Sequence, residues 1–493
     1  MFNGRTRRWA AVRWALIGMG ASTALQAQVS VPDAGSLTSA SQVCTSDRAI
    51  AEERVRACTL LLKSAGMQDR DLANLYINRA RGSRLAGDAA SAEKDFDAAI
   101  KAEDRYPVAW FERGNFRADR GDREHALEDY DRAIELKPTY PEFFVNRGNA
   151  HKALGHVERA LQDYTKAITL DPSKVVGYNN RAGLYLAQGN YDAAIRDFSK
   201  GLERDASRAE PFYSRGTAWQ QKGDLDKALK DYDDAVRIRP DFASAYAARG
   251  RIFESRGDVA RALADYDQAI SIDPASSAYA SRGLLRLGRA DVEHALQDFN
   301  QAIANDPDDS LSYNNRGVAY VKQEQYDRAI QDFTRATELT PTFAEAWFNR
   351  GSAFEKSKDV AHALADYDHV IALDARYAAA YYNRGALRHA QKKLGEALED
   401  YARAIELKQD DPTAYFKRGN VYLDLRELDL AARDYSEAIR LDPSNAVAFY
   451  NRSVVYSELG KREQASADRA RAVALDPTLA KAPQRAASAQ ISQ

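Results

Sequence analysis

Residues 344–377 read AEAWFNRGSAFEKSKDVAHALADYDHVIALDARY, and residues 378–411 read AAAYYNRGALRHAQKKLGEALEDYARAIELKQDD. Set one above the other, they match at Arg350 and Arg384, Gly351 and Gly385, Ala363 and Ala397, Asp366 and Asp400, Tyr367 and Tyr401. Large apolar residues within each stretch fall three or four apart, the spacing of helices with one buried face. Each stretch turns near its fifteenth residue, so one unit reads as two antiparallel helices.

The match extends in both directions. The arginine recurs as Arg79, Arg113, Arg147, Arg181, Arg215, Arg249, Arg282, Arg316, Arg350, Arg384, Arg418 and Arg452, in steps of 34 with a single step of 33 between Arg249 and Arg282. With this arginine at the seventh place, twelve units run from 73 to 479. The fourth place is always aromatic, from Tyr76 and Trp110 to Phe449. The eighth is Gly, Ala or Ser, and the twentieth is always Ala. The twenty-fourth is Phe or Tyr except for Arg469 in the last unit, where a polar outer face suits a terminal cap. A small eighth residue opposite the alanine at the twentieth is expected to let the helices approach closely. Proline closes eight units, as in Asp171-Pro172, and cannot continue the second helix. One hairpin cannot bury its own aromatics, so neighbours must stack to make a continuous core.

This pattern resembles the tetratricopeptide repeat, and the resemblance covers 73–479. It implies an all-α, right-handed superhelical solenoid of twelve helix–turn–helix repeats that binds protein partners. One departure stands out. The family's seventh place is usually apolar and its twenty-third often aromatic, yet here the twenty-third is aspartate in every unit, Asp95 through Asp468. In an antiparallel hairpin the two places face each other, so a repeated Arg–Asp clasp is expected, structural rather than ligand-binding.

Composition agrees with a soluble folded chain: 29% charged, 45% hydrophobic and a formal net charge of −2, which gives no basis for nucleic-acid binding. The start differs from the rest. Arg5, Arg7, Arg8 and Arg13 precede an apolar run from Trp14 to Leu25, and small residues follow. That is the layout of a secretory signal peptide over 1–27, cleaved after Ala24 or Ala27, with a run too short to span a bilayer. The expected location is outside the cytoplasm, periplasmic or secreted, in a bacterial envelope, with no membrane insertion after cleavage. Cys44 and Cys58 lie in the segment 28–72, and in an exported chain they are expected to form a disulfide that helps this segment cap the first repeat. Residues 480–493, interrupted by Pro483, read as a frayed tail.

In stacked hairpins the first helices line the concave side. Their sixth place is asparagine at Asn78, Asn146, Asn180, Asn315, Asn349, Asn383 and Asn451. A carboxamide can bond both the N–H and C=O of a peptide, recognising backbone without demanding a particular sequence. This resembles the asparagine ladder in the repeats of O-linked N-acetylglucosamine transferases, although no transferase domain follows here. Asn315, Asn349 and Asn383 form the unbroken run, and the fifth-place aromatics Phe348, Tyr382, Phe416 and Tyr450 gather beside it. Repeats 8 to 12 are therefore the expected groove; the same asparagines could instead bond only to neighbouring backbone. The chaperone-binding clamp of some tetratricopeptide domains is not matched: Asn115, Asn149 and Asn420 hold the ninth place without its lysine partners.

No phosphate loop, nucleophile elbow or zinc-protease helix is present, and the seven histidines are scattered. The expectation is a non-enzymatic binder without cofactor or metal: either an adaptor for extended peptide segments, or a scaffold for an envelope or secretion complex working through its convex faces.

Overall fold

The computed structural model describes residues 34–481 apart from 47 and 65, so the expected signal segment and most of the expected tail lie outside the described residues. The described chain is an all-α repeat solenoid of 26 α-helices, with no strand among the described residues. A hairpin of α1 (Ala34–Thr45) and α2 (Ala51–Lys63) precedes repeat 1, formed by α3 (Asp69–Leu85) and α4 (Ala89–Ala102). The same hairpin recurs through to Ala446–Glu458 and Arg462–Leu475 in repeat 12. The chain forms two compact units, one ending at Asp205 with repeats 1–4 and one beginning at Ala206 with repeats 5–12.

Each hairpin turns on a residue with positive φ at the fifteenth place. It is glycine in repeats 1–6 and 12, from Gly87 to Gly460, but Ala290, Glu324, Lys358, Lys392 and Arg426 take the same left-handed conformation in repeats 7–11. A Cβ makes that conformation costly, by roughly 1 kcal/mol. Lys392→Gly is therefore expected to stabilise repeat 10 by about 0.5–1 kcal/mol, read as slower amide exchange across its turn.

The close approach of the two helices has a different partner from the one expected. A Cβ built on Gly148 would sit 2.7 Å from the Tyr164 ring, and on Gly317 it would sit 2.6 Å from the Phe333 ring. The eighth place is small chiefly because the twenty-fourth-place ring lies across it; at Gly114 the backbone oxygen of Ala126, at the twentieth place, would also lie 3.3 Å from a Cβ. Repeats 1 and 4, which carry Ala80 and Ala182, pair them with Phe96 and Phe198 rather than with tyrosine.

The clasp is present in every repeat. In repeat 9, Arg350 donates from Nε to Asp366 Oδ2 at 2.8 Å and from Nη2 to Oδ1 at 2.7 Å. Repeat 1 does the same between Arg79 and Asp95, and repeat 12 between Arg452 and Asp468. Each of the twelve aspartates is buried. The remaining Nη1 reaches back to the twenty-fifth place of the preceding repeat: Asp97 for Arg113, Asp131 for Arg147, Thr165 for Arg181, Asn300 for Arg316. The guanidinium also lies over the fourth-place ring of its own repeat, as Arg350 does over Trp347 at 4.4 Å. In most repeats one side chain thus ties the hairpin together, grips the neighbour and packs on the invariant aromatic.

At the start, α2 supplies what a preceding repeat would. Thr59 accepts from Arg79 Nη1 at 3.3 Å, and Val55 packs where Gly82 leaves room. Cys44 and Cys58 are bonded to each other inside this cap, both fully buried beside Leu61 and Leu75. At the other end, a short 3-10 turn (Pro477–Lys481) lays Leu479 against Tyr450, Val454 and Ala472, so the chain as far as Lys481 is packed on the last repeat.

Candidate functional site

Within each unit, most successive first helices touch one another, whereas successive second helices do not pack together to the same degree, which places the first helices on the inner side of the stack. The sixth-place asparagines stand on that side and spend part of their hydrogen-bonding capacity on the neighbouring repeat. Asn146 Nδ2 donates to Asn115 Oδ1 at 2.7 Å, and Asn180 Nδ2 to Asn149 Oδ1 at 2.9 Å. Asn451 does the same to Asn420 at 3.0 Å. Asn349 donates to Asn314 at 3.0 Å. Asn383 donates to the Tyr367 hydroxyl at 3.1 Å, which itself donates to Glu355 at 2.9 Å. Asn315 is half-buried on the same face. Each donating amide keeps its oxygen and a second N–H for another partner.

For Asn146, Asn180 and Asn451 the acceptors are the ninth-place asparagines, whose importance the sequence reading missed. Tyr130, Tyr164 and Tyr435 hydroxyls donate to Asn115, Asn149 and Asn420. A signal was available: all three ninth-place asparagines occur in repeats with tyrosine, not phenylalanine, at the twenty-fourth place.

The fifth-place rings divide. Phe348 is half-buried and packs on Tyr367 and Tyr377, with ring centroids 5.7 and 5.1 Å away. Tyr382 meets Tyr401 edge-on at 5.8 Å, and Phe416 meets Tyr435 at 5.8 Å. These three keep an accessible edge on the inner face. Tyr450 does not: it is 1% exposed under Leu479 and the Arg469 guanidinium, so it belongs to the core of the last repeat rather than to the groove. Burial, with Asp411 and Glu355 nearby, pushes the Tyr382 hydroxyl up to about 12. Burial raises Tyr367 and Tyr401 as well, so all three phenols remain neutral donors.

Repeat 10 breaks the pattern. The twenty-fourth-place hydroxyls of Tyr130, Tyr164, Tyr232, Tyr266, Tyr367 and Tyr435 all have acceptors. Tyr401 is fully buried and its hydroxyl has no partner among the described residues. Its ninth place is Ala386, and the twelfth, His389, is turned to Asp424 in the next repeat at 3.1 Å.

His125, His294 and His362 are exposed in the first turn of their second helices, against the N-cap residues Asp122, Asp291 and Asp359. Among the described residues no cluster suited to a metal ion occurs, and no helix is long and apolar enough to cross a membrane.

The fold defines a helical-hairpin repeat protein whose inner face carries amides and aromatic edges. Family models described as TPR repeat match residues 114–155, 317–358, 387–426 and 419–460. Models described as tetratricopeptide repeat match 141–174, 163–196, 213–277, 299–331 and 344–377. The chain belongs to the tetratricopeptide-repeat family, and its general role is that of a protein-interaction module. No curated protein matches it. Among solved structures it is similar to a tetratricopeptide repeat protein from Parabacteroides merdae, at 22% identity over 50% of this chain and 99% of the other, with a TM-score of 0.41. It is also similar to YrrB, described as a TPR protein with an unusual peptide-binding site, at 25% identity over 37% of this chain and 95% of that one, with a TM-score of 0.34. The Cut9–Hcn1 hetero-tetramer of the APC/C is similar at 14% identity over 87% and 90%, with a TM-score of 0.42.

Proposed function

We propose that this protein is a non-enzymatic adaptor outside the cytoplasm, periplasmic or secreted, which holds extended segments of partner proteins along the inner face of repeats 8 to 11. The observation that carries the reading is the unpaired Tyr401 hydroxyl. A buried donor without an acceptor costs about 1–3 kcal/mol, and a backbone carbonyl admitted by a shift of the Tyr382 ring, which lies edge-on to Tyr401, would remove that cost. The aromatic edges of Phe348, Tyr382 and Phe416 supply apolar contact beside it, and Asn315, Asn349 and Asn383 supply polar contact. The location rests on the basic start and apolar run of residues 1–27 and on the Cys44–Cys58 bridge, a bond at home in oxidising compartments.

Crosslinked pull-down from the exported compartment, comparing wild type with Asn349→Ala/Tyr382→Ala, is expected to lose partners in the variant. Tyr401→Phe removes only the oxygen and is expected to weaken capture roughly tenfold without lowering the melting temperature. Partners held equally by wild type and variants would refute the groove, and would favour a scaffold acting through second-helix surfaces.

A further inference from the structure

A second site lies in the first unit. The inner side of repeats 1–3 encloses a cavity of about 480 Å³ floored by Ala118, Ala150 and Ala153. That volume falls within the range of small-ligand sites. Two of the amides in its wall are restricted to donating. Asn115 Oδ1 already accepts from Tyr130 at 2.9 Å and from Asn146 at 2.7 Å. Asn149 Oδ1 accepts from Tyr164 at 2.8 Å and from Asn180 at 2.9 Å. With both oxygens doubly used, what these two residues offer to the cavity is Nδ2, a group that only donates.

Charge is lopsided in the same sense. The two carboxylates in the wall have their own cations: Glu112 is held by Arg81 at 2.6 Å and Asp119 by Arg84 at 3.2 Å. The side chain of Arg123, a half-buried residue in the same wall, has no hydrogen bond or ion pair among the described residues. Its guanidinium cannot shed its proton and presents a fork suited to a carboxylate. Two donor amides one repeat apart stand on the order of 10 Å from each other, the length of about three extended residues.

We propose that this cavity binds an acidic peptide segment. A glutamate or aspartate side chain pairs with Arg123, and backbone carbonyls about three residues apart accept from Asn115 and Asn149. The site is separate from the groove of repeats 8 to 11 and stands or falls without it. An aromatic-rich neutral segment suits that groove, whereas this cavity selects for charge.

Calorimetric titration of the full chain tests it, using an acetylated, amidated nonapeptide of glycine and serine with two central glutamates. The glutamate peptide is expected to bind about tenfold more tightly than its glutamine counterpart, the worth of one charge-assisted pair. Arg123→Gln is expected to erase that preference. Asn149→Asp keeps the acceptor for Tyr164 and Asn180 but turns the donor edge into an oxygen, and is expected to abolish binding. Arg132→Gln removes the same charge from an exposed i, i+3 pair with Glu135 in the same repeat, and is expected to change nothing. Circular dichroism melts of each variant separate loss of binding from loss of fold. The proposal is overturned if the glutamate peptide does not bind, if the glutamine peptide binds equally, or if Arg123→Gln leaves the preference intact. Stronger binding by a glutamate-free peptide with an unblocked carboxy terminus would overturn it too, in favour of a chain-end carboxylate.

Discussion

Arg350→Leu is expected to cost repeat 9 about 3–5 kcal/mol, Asp366→Leu somewhat less, and the double variant well under their sum. The pair is bidentate, with side-chain exposures of 15% for the arginine and 5% for the aspartate, so each group depends on the other for lost hydration. The two single losses differ in kind. Without Arg350, the Asp366 carboxylate is short and buried, with nothing to replace its lost hydration. Burial already raises the Asp231 carboxyl above its usual range even with Arg215 bonded to it. A carboxyl raised in the folded state contributes stability only when protonated, so in repeat 5 the Arg215→Leu deficit is expected to shrink as pH falls. Without Asp366, the guanidinium stays charged at every accessible pH. It keeps its place over Trp347 and its bonds to Thr334 and Thr337, and its long stem can carry it towards water. That deficit is expected to be smaller and independent of pH. A repeat array does not unfold as one unit, so amide exchange within repeat 9 is the right measurement. Strictly additive losses would show that no clasp exists.

The clasp was legible because two places changed together: arginine where the family prefers an apolar residue, and aspartate where it often has an aromatic. The third bond of the same arginine was not legible. Its acceptor is Asp131 in one repeat, Thr165 in another and Asn300 in a third, and an N–H donor takes all of these alike. The hairpin turn shows a similar limit. Glycine marks the left-handed position in repeats 1–6, but Lys358 or Lys392 gives no hint that it adopts the same φ. The division after Asp205 is also invisible in the period, since Arg181 and Arg215 are 34 apart like their neighbours. Its local correlate is the connection 205–208, which lacks the turn seen in most other repeats. On the inner face, spacing identified the asparagines but not their orientation. Whether an amide faces solvent or the next repeat depends on the ninth-place residue and the tyrosine behind it. Tyr450 was misplaced for a related reason: the fifth place is half-open only when another repeat follows, and repeat 12 is followed by Leu479 instead.

Cys44→Ala/Cys58→Ala is expected to loosen the cap by about 3 kcal/mol, from the entropy of closing a loop of sequence separation 14. Amide exchange in α2 should then quicken by on the order of a hundredfold, with α3 affected less and repeats 5–12 unchanged. The asymmetry between the two ends explains why a covalent bond matters here. Repeat 12 has a polar second helix carrying Arg469 and needs only the short turn holding Leu479. Repeat 1 has an ordinary apolar flank, with Leu75 and Ile77 buried, and its Arg79 reaches for the acceptor that an earlier repeat would supply. The α1–α2 hairpin has to stand in for that repeat, and there the disulfide does the work of tying one helix to the other. A thiol reductant acting on the wild-type protein is expected to reproduce the variant's exchange pattern. Unchanged protection of α2 in both experiments would mean that packing against α3 holds the cap without the bridge.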